Sequence, residues 1–273
     1  MAVIFGCVLE EERAPELAAG ALLKASFVGH DSSGLAALTP DGLKVLKEAK
    51  KAPEFFKGLD LSGMRARACI GHLRWATHGA PYTANTHPLT DCKGRLAVIH
   101  NGIVENFSAL REELSSSGHR FSSKTDSEVL AHLVEEGLSK GLAFPEAVRE
   151  ALAKAEGSIA SAFLCSEEPD TVICACKNSR LFLAKGPEGA FCSSELCCLH
   201  GLSGRYVELG PGELAILRPD GFSIMDLGTL EPVEKEARPL PSGLEEARKM
   251  GHEHMVLREI WEQVWRLADT LRL

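Results

Sequence analysis

The sequence predicts an α+β domain with helices packed on antiparallel sheets. Three observations carry this. The chain opens on a continuous apolar run, AVIFGCVL (2–9), the pattern of a strand buried on both faces. Three helical segments follow one another between 106 and 157. After them the period switches to short strands, and a last helical pattern begins near 243.

The elements follow in order. APELAAGALLKASF (14–27) carries apolar residues at helical spacing. GLAAL (34–38) and GLKVLK (42–47) flank TPDG, a turn signal between two strands. KAPEFFKGLDLSGM (51–64) reads as helix with a break, and ARACIGHLRWAT (66–77) as a strand entering a loop. PYTANTHPLTDCKG (81–94) reads as loop, and RLAVIHNG (95–102) as a buried strand running into a turn.

Helices are expected over 106–119, 124–141 and 144–157. Thr125 or Asp126 is placed to cap the second, and Glu128 falls at capping-box spacing from Thr125. Strands are expected over 158–165, 171–177, 181–186, 189–195, 206–217 and 221–227. The organisation predicted is one domain over 1–240 and a helical linker segment over 241–273.

At 273 residues the chain has ample core for one large domain or two small ones. Its net charge of -8 argues against broad nucleic-acid binding. No apolar run approaches the roughly 18 residues of a membrane span. The first residues lack a basic segment followed by an apolar one, so a cytoplasmic protein without membrane contact is expected.

None of the nine cysteines is spaced C-x-x-C; they are expected to be buried, reduced thiols. His72, His78, His87 and His100 match no ligand pattern either, so neither metal nor cofactor is expected.

Polar residues cluster where strands end, in HLRWATHG (72–79), HNGIVEN (100–106) and TDSE (125–128). Arg74 suits a carboxylate, with Thr77 and His78 as donors beside it, and Asp126 suits an α-ammonium. Together they suit a free amino acid. The Asn101 side-chain amide and the Gly102 N–H are two donors at a tight turn, as in an oxyanion hole. Taken singly, each has a plainer reading: a salt bridge for Arg74, a helix cap for Asp126, a turn for HNG.

In this order the stretches resemble the glutaminase domain of class II glutamine amidotransferases. IFG near the start, GHDSSGLA (29–36), HLRWATHGAP (72–81), NTHP (85–88), VIHNGIVEN (98–106), TDSEVLAHL (125–133), GSIASAFL (157–164) and HMVLREIWEQ (254–263) carry the likeness. It is nearest the glucosamine-6-phosphate synthase branch. The resemblance implies an Ntn-hydrolase fold, a four-layer αββα sandwich of two antiparallel sheets between helix layers. It implies that Arg74, Thr77, His78 and Asp126 hold L-glutamine, that Trp75 lies in a loop closing over it, and that Asn101 and Gly102 form the oxyanion hole.

In that family a cysteine follows the initiator methionine, and its own α-amino group serves as its general base. Here the position is Ala2, which has no nucleophilic atom. The glycine expected next is Val3, and an arginine near the nucleophile is replaced by Val28. Val3 is expected to crowd the ligand, and three changes fit natural divergence better than a designed single substitution. Cys7 cannot substitute without loss of most of the first strand.

The expectation is a glutamine-binding, non-hydrolysing domain that partners a sugar-phosphate isomerase subunit or domain. The first alternative is the ammonia-supplying domain in truncated or nucleophile-substituted form. The second is a structural module that forms homo-oligomers through Trp261 and Trp265 on the last helix.

Overall fold

The computed structural model describes residues 2–29 and 31–271; within the last helix, the side chains of 265, 266 and 268–271 lie outside the described set, Trp265 among them. Strand β1 (Val3–Leu9) is buried at every position. Val3, Phe5, Cys7 and Leu9 point into a core shared with helix α1 (Ala14–Lys24), whereas Ile4 and Val8 point into a second core between two sheets. A strand covered on both faces reads as an unbroken apolar run, which is why the sequence marks it so clearly.

One sheet has eight strands. β1 lies near its middle, flanked by β4 (Ala68–Arg74) and β10 (Gly189–Ser193). β2 (Ser32–Thr39) and β3 (Gly42–Glu48) complete one side; β9 (Leu181–Gly186), β11 (Arg205–Leu209) and β14 (Arg238–Pro239) complete the other.

The second sheet has six strands in the order β13-β12-β8-β7-β6-β5. These are β5 (Leu89–Thr90), β6 (Leu96–Val104), β7 (Gly157–Cys165), β8 (Val172–Lys177), β12 (Glu213–Arg218) and β13 (Gly221–Asp226). Strand pairing within both sheets is antiparallel.

Helices cover both outer faces. α1, α2 (Ala52–Lys57), the short α6 (Leu196–Leu199) and α7 (Leu244–Lys249) lie on the larger sheet. α3 (Phe107–Ser116), α4 (Glu128–Ser139) and α5 (Phe144–Lys154) lie on the smaller one. The layers therefore run α, β, β, α, the sandwich that the resemblance implies.

Three elements differ from the sequence reading. The single strand expected over 206–217 is two strands in different sheets. Gly210, Pro211 and Gly212 (φ +78°) turn the chain from one sheet to the other. The loop expected over 81–94 contains the two-residue β5, too short to give a periodic signal. α4 begins at Glu128, and neither Thr125 nor Asp126 caps it: its N-cap is Ser127, without a side-chain cap bond.

The last helical pattern breaks at Met250 and Gly251, both at positive φ, before α8 (Met255–Leu271). α8 is docked by Arg258, 2% exposed, whose Nη2 reaches both oxygens of the buried Glu195 at 3.0 and 2.9 Å. Its outer face leaves Val256, Ile260, Trp261, Val264 and Leu267 exposed.

Candidate active site

The candidate site lies where β1 begins and β4 ends, against β6 of the opposite sheet. Ala2 precedes β1 and is half-buried. Its carbonyl accepts a hydrogen bond from Asn101 Nδ2 at 2.9 Å. Asn101 Oδ1 lies 2.9 Å from His72 Nε2. Because Asn101 uses Nδ2 to donate, its Oδ1 must accept, and His72 therefore carries its proton on Nε2. One Nδ2 hydrogen is taken by the Ala2 carbonyl.

The free edge of β6 supplies the backbone donors. The His100 N–H goes to His87 Nδ1 at 3.3 Å, and the Val104 N–H goes to Asp126 Oδ2 at 2.8 Å. Strand alternation turns the Gly102 N–H between them to the same edge, away from β7. Only glycine fits there: φ is +122°, and a Cβ would lie 1.9 Å from the Ser158 carbonyl oxygen.

Arg74 closes β4 and is 4% exposed. Its Nη2 holds the following loop through the carbonyls of His78 (2.5 Å) and Gly79 (3.0 Å). Among the described residues its Nη1 is buried without a partner. Burial pulls the guanidinium below its usual range, with the charges of Asp31 and then Asp126 acting against that. A buried guanidinium nitrogen left open beside a carboxylate suits a zwitterion better than a structural salt bridge.

Trp75 and Thr77 are exposed on the loop, and His78 is half-buried with its ring 5.5 Å from that of Phe107. The loop is also anchored by Asp31, which accepts from the Ala76 N–H.

Asp126 is 3% exposed and serves β6 rather than helix α4. Glu128 likewise leaves the helix terminus alone. It accepts from the backbone and hydroxyl groups of Ser122 and Ser123 at 2.6–2.8 Å.

Val3 does not crowd the site: its side chain is fully buried in the core beneath α1, a core to which Val28 also belongs. Cys7 is fully buried, its thiol 3.6 Å from the Ala14 carbonyl oxygen, and burial pushes its pKa up strongly.

Sequence reasoning missed His72 as the group that orients Asn101, since the two lie 29 positions apart. Behind it sit His87 (ring centroids 4.4 Å apart) and His100, whose Nδ1 lies 2.8 Å from Ser127 Oγ. Burial depresses all three imidazoles, His72 to about 3.

A depressed folded-state pKa means that the unfolded chain binds protons the folded chain refuses. Stability is therefore full above about pH 6.5 and falls as pH drops below it, by about 1.4 kcal/mol per pH unit for each such histidine. Urea unfolding at pH 7.5 and pH 5 should give a clearly lower midpoint at pH 5. Equal midpoints would show that these rings take up protons in the native state.

The chain is similar to known proteins both in sequence and in fold. A family described as "Glutamine amidotransferase domain" matches residues 72–201. A glutamine–fructose-6-phosphate aminotransferase (isomerizing) of Thermococcus kodakarensis is 38% identical over 261 residues, 96% of this chain and 43% of that protein. One from Thermus thermophilus is 40% identical over 250 residues, 92% of this chain and 41% of that protein.

In fold, the chain is similar to glutamine phosphoribosylpyrophosphate amidotransferase from B. subtilis. The TM-score is 0.71 at 24% identity, covering 90% of this chain and 56% of the other. The chain thus spans somewhat under half the length of these curated relatives.

Proposed function

Because the chain belongs to the class II glutamine amidotransferases, we propose that it binds L-glutamine through a pocket of glucosamine-6-phosphate synthase type and does not hydrolyse it. Ala2 stands where the family's nucleophile would act. The observation that carries the reading is the pairing of Ala2 with Asn101, together with an Arg74 Nη1 that has no partner among the described residues.

Arg74 receives the α-carboxylate and Asp126 the α-ammonium. Asn101 Nδ2 and the Gly102 N–H face the side-chain carbonyl oxygen. Thr77 and His78 complete the pocket wall, and Trp75 covers it. The donors can polarise the amide, but a methyl group cannot attack it.

The titration that tests this uses wild type and Arg74→Ala. Calorimetry with L-glutamine should show saturable binding to wild type and at least about a 100-fold weaker response for Arg74→Ala, which loses the charge-assisted contact offered by the open Nη1. Equal binding by both proteins would remove the pocket from consideration.

The relatives carry additional chain and are named as isomerizing aminotransferases of fructose 6-phosphate. The apolar outer face of α8 supports pairing with a sugar-phosphate isomerase subunit or domain, to which the bound glutamine would report. The same face also favours the second reading, a homo-oligomer joined through α8 with Trp261 at its centre.

A further inference from the structure

Four side chains of metal-ligand type converge away from the glutamine pocket. Cys92 lies in the turn between β5 and β6, His119 follows α3, and His132 and Glu135 lie one turn apart on α4. We propose that these four residues form a structural zinc site.

The spacing fits a tetrahedron. Zinc bonds of about 2.3 Å to sulfur and 2.0–2.1 Å to nitrogen or oxygen put neighbouring ligand atoms about 3.3–3.6 Å apart. Cys92 Sγ lies 3.6 Å from His119 Nδ1 and 3.6 Å from His132 Nδ1. Glu135 Oε2 lies 3.0 Å from His119 Nδ1 and 3.2 Å from His132 Nδ1.

The surroundings fit as well. Among the described residues His132 Nε2 is buried without a hydrogen-bond partner and faces Glu128 Oε1 at 3.8 Å, while His119 Nε2 faces Glu136 Oε1 at 3.9 Å. An imidazole that ligates through Nδ1 and turns its Nε2–H toward a carboxylate is the usual support for a metal-bound histidine.

The Arg120 N–H donates to Cys92 Sγ at 3.3 Å, as suits a thiolate, and the Cys92 N–H donates to Glu135 Oε2 at 3.1 Å. Thiolate and carboxylate together offset the charge of a divalent ion, and two neutral imidazoles add none. His132 is fully buried and Glu135 is 4% exposed, whereas Cys92 is open to solvent and gives the ion its entry.

Four protein ligands leave no place for a reacting water, so the role is structural. The ion ties the 91–94 turn and the segment after α3 to α4. The mixed sulfur and nitrogen set favours zinc over magnesium or calcium. The expectation of no metal came from close spacing along the chain; these ligands are separated by 26 and 12 intervening residues, then by a helical turn.

The test is independent of glutamine. The full chain is stripped with chelator and titrated with Zn²⁺ and with Co²⁺. Expected are one ion per chain, a higher melting temperature on zinc binding, and a thiolate-to-cobalt charge-transfer absorption. Cys92→Ser should abolish that absorption, and Cys92→Ser and His119→Ala should each weaken zinc binding at least about 100-fold.

The wild-type cobalt spectrum decides the matter even if a variant folds poorly. Absence of stoichiometric binding by the stripped wild type would overturn the proposal. So would full binding by both variants, or a cobalt spectrum without a thiolate band; Glu135 then simply accepts hydrogen bonds from two imidazoles.

Discussion

Ala2→Cys turns the chain into a glutamine-hydrolysing enzyme, with an ammonia release rate about 1,000-fold above that of wild type. With Met1 removed, the new residue's α-amino group takes the thiol proton. The thiolate attacks the glutamine side-chain carbonyl carbon, and the C–N bond breaks as ammonia leaves with that proton; water then releases glutamate from the thioester.

The single substitution suffices because Val3 and Val28 are packed in the core beneath α1 and not in the pocket. Asn101 Nδ2 donates to the residue-2 carbonyl, and on the proposed reading its second hydrogen would go to the oxyanion. Coupled assay of ammonia, with mass spectrometry of the mature terminus, checks this. A processed, thiol-reactive variant that binds glutamine but releases no ammonia would show that the Asn101 and Gly102 donors are misplaced. Activity that needs Val3→Gly and Val28→Arg as well would show that divergence reached the donors indirectly.

Gly102→Ala is expected to cost at least about 3 kcal/mol of stability, through strain at positive φ and displacement of β7 backbone. The added methyl would sit 1.9 Å from the Ser158 oxygen, and a strand carbonyl cannot give way as a side-chain tip can. For a chain of this size the melting temperature should fall by about 6–12 °C, with loss of glutamine binding in whatever remains folded. A fall of less than about 2 °C would mean that β6 and β7 are not held at this spacing.

The parts of this protein legible in its sequence are those governed by local pattern. Strand β1 announces itself because both its faces are covered, and α4 and α5 because each has a repeating apolar stripe. The polar residues of the pocket stand out because they interrupt buried strands at their ends.

Long-range choices stayed hidden. Asp126 has the right position and chemistry for a helix cap, yet the N–H of Val104 at the end of β6, 22 positions earlier and across α3, claims its Oδ2. Ser122 and Ser123 claim Glu128 in the same way. The crossing between sheets at Gly210–Gly212 looks like an ordinary turn until strand partners are known. His72 reads as a core histidine until Asn101 is brought against it.

The central claim is a pocket that holds glutamine beside a residue that cannot attack it. Nuclear magnetic resonance of L-glutamine labelled with ¹⁵N at its side-chain amide, mixed with the wild-type chain, reads both halves at once. The account predicts saturable broadening of the amide signal with no ammonium appearing over hours. An unperturbed amide signal, or a growing ammonium signal, would contradict it.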